Sequence, residues 1–284
     1  MKNTATLLIS CPDRRGIVAS VSHFIYQHNG NIIHADQHLD HELGLFFMRI
    51  EWNLDDFNLP IKVFRQQFNK IALKFEMNWN VVMSIDRFKL AIFVSKQDHC
   101  LADILYRHKR KELNCDIKLI ISNHPNAKEL ADLYQIPFFE IPISKINKKN
   151  SEQYMLKLLK KYEVGLIVLA RYMQILSPDI VKEFPNNIIN IHHSFLPAFI
   201  GANPYKKAFD RGVKIIGATS HYVTDGLDQG PIIEQDVIRV SHREEVQDMI
   251  NKGRDLEKIV FFRAIQWHIE NKILIYSNKT VVFN

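Results

Sequence analysis

The chain has 284 residues, 46% of them hydrophobic and 24% charged, with 37 Lys/Arg against 31 Asp/Glu and a net charge of +6. That length suits two domains, and the composition excludes a disordered tail, a collagen-like fibre and a disulfide-stapled miniprotein. No apolar run approaches the roughly 18 to 20 residues of a membrane span. Met1-Lys2-Asn3-Thr4 opens no secretory pattern, and Cys11, Cys100 and Cys115 lack CxxC spacing and read as reduced thiols of a cytoplasmic protein.

The first 85 residues alternate. Thr6 to Ser10 reads as a strand ended by the turn Cys11 to Gly16. Ile17, Val18, Val21, Phe24 and Ile25 recur at helical spacing up to Asn29-Gly30. Asn31 to Leu39 and Gly44 to Trp52 form a predicted hairpin about Asp40-His41-Glu42-Leu43. A helix over Ile61 to Leu73 and a strand over Asn78 to Ser84 follow. The order β-α-β-β-α-β is the split βαβ, ferredoxin-like α+β plan. A domain that small, with open sheet edges, is expected to pair with another copy, giving a homo-oligomer.

After Ile85 to Phe88 the rhythm changes. Strands are predicted over 89–94, 116–122, 138–143, 164–169 and 188–192, separated by helices near 99–112, 126–134, 150–161 and 177–183. Strands over 214–222 and 232–240, a long helix from about 243 to 271 and a last strand over 280–283 complete the chain. Alternating strands and helices imply a doubly wound, mostly parallel α/β sheet. The expected division is 1–85 and 86–284.

In such sheets ligands bind beyond the carboxyl ends of the strands. Asn190 and His192 stand two apart at one such end and so share a face. An amide and an imidazole side by side can both donate hydrogen bonds to a developing oxyanion. Asp228, in a glycine-bounded loop, can bring a carboxylate that holds the imidazole's tautomer, raises its proton affinity and orders a water. On these grounds alone, Asn190 and His192 can equally be strand-end residues bonded to nearby backbone, and Asp225 and Asp228 ordinary turn residues. No GxSxG elbow, HExxH or phosphate-binding P-loop occurs, so chemistry without a covalent nucleophile or a metal is the expectation. His34 and His38 share a strand face while His41 falls in the turn, which reads as a surface group rather than a metal site. His193, alternating with His192, is expected on the opposite face. The basic run Arg107 to Lys111 closes a helix and reads as a solvated complement to its dipole. The positive charge raises nucleic-acid binding, yet no helix-turn-helix, zinc ligand set or aromatic-basic strand signature accompanies it.

Asn190-Ile-His-His-Ser-Phe-Leu-Pro197, together with His221-Tyr-Val-Thr-Asp-Gly-Leu-Asp228-Gln-Gly-Pro-Ile-Ile233, resembles the signature of the folate-dependent formyltransferases. Pro12-Asp-Arg-Arg-Gly-Ile-Val18 is similar to an ACT domain. The segments Val168 to Ser177 and His192 to Tyr205 look like the members of this family that hydrolyse the formyl group instead of transferring it, and the resemblance covers essentially the entire chain. It implies an ACT domain followed by a formyltransferase-like domain. It also implies hydrolysis of 10-formyltetrahydrofolate to formate and tetrahydrofolate, with Asn190, His192 and Asp228 catalytic. The formate would serve purine synthesis and the reaction would balance one-carbon folate pools. Met173, Gln174, Leu176, Val223 and Thr224 would hold the pterin. Folate is then the substrate, with no bound cofactor and no metal. The alternative is formyl transfer to an amine. Phosphate-binding relatives carry a glycine-rich loop after the first strand of this domain, but here the stretch is Ser95-Lys-Gln-Asp-His-Cys100, which disfavours that alternative. Asp13, Arg14, Gly16 and Ile17, at a helix start, would take a small amino-acid effector. Residues 1–85 hold eight Lys/Arg and eight Asp/Glu, so the whole +6 lies in 86–284, the part expected to hold an anionic folate; Arg171 and Lys206 are the rim candidates, with a salt bridge inside the domain the equal alternative for Arg171. Neither nucleic acid nor membrane is an expected partner.

Overall fold

The computed structural model describes residues 3–198 and 204–284. Two compact units emerge: one runs to Arg87 and is completed by Asn271–Asn284, the other is Phe88–Glu270.

The first unit contains β1 (Thr4–Pro12), α1 (Ile17–Gln27), β2 (Asn31–Asp40), β3 (Leu45–Asn53), α2 (Ile61–Lys74) and β4 (Asn78–Met83). Its antiparallel sheet has the order β2-β3-β1-β4, the ferredoxin-like plan expected from the alternation. One face carries both helices over a core that includes Leu7, Ile9, Val21, Ile25, Trp52, Phe64 and Phe68. The chain enters α1 through Gly16, whose φ of 91° lies in the left-handed region open to glycine without the cost a side chain would incur. His34 and His38 lie on β2; the His38 ring stacks on Phe47, and no grouping of metal-ligating side chains forms there among the described residues.

The tail of the chain differs from its expected place. Instead of one short strand at the end of the second domain there is a hairpin, β12 (Ile273–Tyr276) and β13 (Lys279–Val282), pairing only with itself. Its apolar residues Leu274, Tyr276 and Val281, with Phe283, pack on Leu8, Leu45 and Phe47. The Arg49 guanidinium donates to the Asn271 carbonyl at 3.0 Å, and the Tyr276 hydroxyl to Asp40 at 3.1 Å. The second face of the small sheet is apolar at Leu8 and Phe47, and the hairpin removes it from water. Against the expected division into 1–85 and 86–284, the compact units meet at Arg87 and Phe88 and group Asn271–Asn284 with the first.

The second unit begins with β5 (Phe88–Val94), α3 (His99–Lys109) and β6 (Cys115–Ser122), then a single 3₁₀ turn (Pro125–Ala127), α4 (Lys128–Leu133) and β7 (Phe138–Glu140). It continues with α5 (Lys148–Lys161), β8 (Leu166–Ala170), α6 (Pro178–Glu183) and β9 (Ile188–His192). The last elements are α7 (Pro204–Arg211), β10 (Ile215–Tyr222), β11 (Ile232–Arg239) and α8 (Val246–Ile269). The sheet order is β11-β10-β9-β8-β5-β6-β7. Strands β7, β6, β5, β8 and β9 run parallel, while β10 and β11 are antiparallel additions. This is the mostly parallel α/β sheet that the alternation predicts. Central strands β5 and β8 are buried almost throughout, as strands covered on both faces must be.

The basic run at the end of α3 is not merely solvated: Arg107 bonds Asp103 at 2.8 Å and Glu112 at 3.0 Å and lies over the Phe262 ring. The three cysteines are buried and unpaired. No helix among the described residues is long and apolar enough to cross a membrane.

Candidate active site

The parallel strands β5, β8 and β9 all deliver their carboxyl ends to one side of the sheet, where a cavity of about 680 Å³ opens within the second unit. Its floor is set by register. Antiparallel pairing places His221 of β10 directly opposite Asn190 of β9, and Thr219 opposite His192. Residues 190, 192 and 221 therefore share one face by strand alternation.

The turn that follows β9 is fixed by Thr219. Its hydroxyl donates to the Ser194 carbonyl at 2.8 Å and accepts from the Leu196 amide at 3.0 Å. Beyond it, residues 199–203 of the family-like segment lie outside the described residues. The loop after β10 is fixed at its ends: the Tyr222 amide donates to the Pro231 carbonyl, and Gly230 passes so close to the Tyr222 carbonyl that a Cβ would stand 1.8 Å from its oxygen. Between these clamps Asp228 adopts φ 55°, a left-handed conformation that aspartate tolerates better than most residues.

The result brings the three sequence-predicted residues together. Asp228 Oδ2 stands 3.3 Å from His192 Nδ1, and Oδ1 stands 3.6 Å from His221 Nε2. Asn190 Nδ2 is 3.2 Å from His221 Nε2, while His221 Nδ1 donates to the Tyr222 carbonyl at 2.9 Å. His221 Nε2 thus faces both the Asn190 amide nitrogen and the Asp228 carboxylate, and its contact orients that amide toward the cavity. The two imidazoles, His192 before His221, hold the Asp228 carboxyl well below the usual carboxylate range, so it is ionised at neutral pH. His192 is buried, and its Nε2 has no partner among the described residues. The arrangement is an ionised carboxylate on one nitrogen of an imidazole whose other nitrogen is left for a reacting group.

Met173, Gln174 and Leu176 after β8, and Val223 and Thr224 after β10, all line the same cavity. The first of these loops is tethered by the Met173 amide donating to Ser95 Oγ at 2.9 Å and the Ser177 amide donating to Glu152 Oε1 at 3.0 Å. Met173 is 61% exposed, which leaves its face open to a planar ligand.

His221 was read from the sequence as the end of a strand and the start of a signature block, with no role of its own in the site. His193 was expected on the opposite face but lines the cavity, its ring stacked on His192 at 5.2 Å, because β9 ends at His192 and strict alternation stops there. Burial, with the Arg171 charge second, pushes its pKa down to about 3, so it is neutral. Arg171 is no rim cation: it is buried, donates twice to Gln97 Oε1 at 3.1 and 2.9 Å and lies 3.5 Å from Glu257. Glu257 of α8, 1% exposed, also accepts from the Tyr205 hydroxyl at 2.7 Å and sits 2.8 Å from His99 Nε2. Lys206 lines the cavity but pairs with Asp210 at 2.7 Å.

The fold and the paired carboxylate and imidazole define the class. The formyl transferase profile matches residues 88–265, and an ACT domain profile matches residues 5–66. The chain is 57% identical over 280 residues to a formyltetrahydrofolate deformylase of Synechocystis, covering 99% of this chain and 98% of that one. It is 49% identical to a formyltetrahydrofolate deformylase of Bacillus subtilis, covering 98% and 93%. The crystal structure of a formyltetrahydrofolate deformylase from Pseudomonas syringae pv. tomato superposes with a TM-score of 0.97 at 45% identity, over 100% of this chain and 95% of that one. The chain belongs to the formyl transferase family and, within it, to the formyltetrahydrofolate deformylases.

Proposed function

We propose that the protein hydrolyses 10-formyltetrahydrofolate to formate and tetrahydrofolate, with Asn190, His192 and Asp228 as the catalytic residues. The observation that carries this reading is the union of an ionised Asp228, its bond to His192 Nδ1 and an unpartnered His192 Nε2 in one cavity wall. Water attacks the formyl carbon and gives one proton to Asp228. The oxyanion of the tetrahedral intermediate is held by the Asn190 amide and by Nε2–H of a protonated His192. The C–N10 bond then breaks, and N10 takes the Nε2 proton. The proton held by Asp228 passes through water to the emptied Nε2, which restores the carboxylate and the imidazolium, and formic acid ionises to formate. The pterin would lie between Met173, Gln174 and Leu176 and Val223 and Thr224, where backbone groups can read its polar edge.

The test is release of formate from 10-formyltetrahydrofolate by the full chain with no amine present. Turnover under that condition is expected; formate appearing only when an amine acceptor is added, or not at all, would overturn the reading. In the same proposal the enzyme works in the cytoplasm as a homo-oligomer and feeds formate to purine synthesis.

An amino-acid effector at the ACT domain is the second part of the proposal, and the geometry narrows it. The Asp13 amide already donates to the Gly44 carbonyl at 2.9 Å, Arg14 is paired with Glu76 and donates to the Lys74 carbonyl at 3.3 Å, and the Ile17 side chain is in the core. Asp13 and Arg14 are thus tied to the fold, and what remains for a carboxylate is main chain near Gly16 at the start of α1. Titrating the protein calorimetrically with a panel of amino acids is expected to give heat for at least one; silence across the panel would leave this domain an assembly role alone.

A further inference from the structure

The cavity wall contributed by α8 contains a cation that the proposed chemistry does not use. Val246, Gln247, Ile250, Arg254 and Glu257 all line the cavity, at spacings that place them along one face of the helix. Glu257 is fully engaged, one carboxylate oxygen by Tyr205 and the other by His99 and Arg171. His99, Cys100 and Glu257 are close enough together to suggest a metal site, but with both oxygens so occupied and the Arg171 guanidinium beside them, a cation is not what this wall takes. Arg254, one turn before Glu257, is different. It lines the cavity, its Nε is buried, and it has no hydrogen-bond or ion-pair partner among the described residues. The other long-chain cations of this wall, Arg171 and Lys206, are both partnered.

A guanidinium is charged at every accessible pH and presents a planar fork of donors that matches a carboxylate. Leaving its Nε shielded from water and unbonded costs free energy unless a ligand completes it. We infer that Arg254 forms a carboxylate-binding subsite in the wall of the catalytic cavity. This rests on the deformylase reading, which supplies two carboxylates: the formate set free by the reaction, and the glutamyl group of the folate. One uncompensated positive charge suits one such anion, and it stands within the cavity where Asp228 would repel a newly formed formate.

The subsite is tested on the full chain with Arg254→Met and Arg254→Lys, each checked for an unchanged melting temperature. Sodium formate is titrated calorimetrically, with sodium chloride at equal ionic strength as control, so that binding is read without turnover. Michaelis constants are measured for 10-formyltetrahydrofolate and for the corresponding pteroate that lacks glutamate. If formate is the ligand, Arg254→Met weakens its binding about tenfold to a hundredfold and Arg254→Lys restores part of it. If the glutamyl group is the ligand, the ratio of the two Michaelis constants shifts by a similar factor and formate binding does not. Either result supports the subsite. Formate affinity and Michaelis ratio both unchanged in a well-folded Arg254→Met would overturn it. Formate binding that depends on Arg254 in a protein that fails to hydrolyse formylfolate would overturn the deformylase reading while leaving the subsite standing.

Discussion

Asp228→Asn is expected to lower kcat for formate release by about three orders of magnitude while folate still binds within a few-fold of the original affinity. The substitution keeps the side chain's size but removes the charge. His192 Nδ1 then faces a neutral amide instead of an ionised carboxylate at 3.3 Å, so the charge that orients the imidazole is gone and the water loses its proton acceptor. Both losses fall on the transition state, because the oxyanion and the departing proton exist only there. Removing a single oxyanion donor typically costs about 10²- to 10³-fold, and mis-setting the tautomer of a catalytic imidazole costs about 10⁴-fold in a serine protease. Binding is expected to be spared because Met173, Gln174, Leu176, Val223 and Thr224, the residues proposed to hold the pterin, line the cavity and are left in place. The substitution also acts on stability. The native fold depresses the Asp228 pKa, so its stabilising contribution is present above the ordinary carboxylate pKa and is lost only as pH falls through the native value. At neutral pH the variant therefore lacks it, and a melting curve must accompany the kinetics. Steady-state formate release and a folate binding titration make the comparison; wild-type-like turnover in a folded Asp228→Asn protein would remove Asp228 from the mechanism.

How much of this was readable beforehand depends on whether a feature is local. The apolar alternation of residues 6–84 and the repeated strand and helix pattern after 88 are local, and both sheets follow from them. The Asn190 and His192 pair was readable because two residues on one strand share a face whatever the strand's neighbours are. His221 was not, since its contact with Asn190 depends on antiparallel register between β9 and β10, which no short window encodes. The hairpin of β12 and β13 was half-seen for a similar reason. Ile273 to Tyr276 follows directly on a helical pattern with no proline to mark the break, and the surface it covers, Leu8 and Phe47, lies more than 200 residues earlier. Asn271, at φ 52°, is the stop signal that was present: asparagine in the left-handed region ends helices much as glycine does. Arg171 shows the limit from the other side, because charge alone cannot distinguish a substrate cation from one consumed inside the domain by Gln97 and Glu257.

Glu257 was not read from the sequence at all, and its loss is expected to have a large effect on stability. Gly253, Leu256, Val260, Phe261 and Ala264 of α8 are all buried, and Glu257 sits among them, four residues after Gly253 and three before Val260. An acid at an apolar helical position requires partners, and three elements supply them: Tyr205 from α7, His99 from α3 and Arg171 after β8. Gly253 admits the first of these, since a Cβ there would lie 2.0 Å from the Tyr205 hydroxyl. Burial raises the Glu257 pKa, but the bond from His99 and the charge of Arg171 outweigh it, and the net shift is downward, so the group is ionised. Glu257→Leu removes the acceptor and leaves Arg171, itself 7% exposed, as a buried cation held only by the Gln97 amide oxygen. Breaking a buried pair from one side typically costs about 3 to 5 kcal/mol. For a unit of this size that corresponds to a fall of roughly 10 °C in Tm. Glu257→Gln is expected to recover part of the loss, because the amide oxygen can still accept from Tyr205 while the charge is gone. Thermal and denaturant unfolding of the two variants at pH 7 measure the difference. A Leu variant as stable as the original would mean that Arg171 finds water or another acceptor at no cost, and the polar wall of the cavity would then be dispensable for the fold.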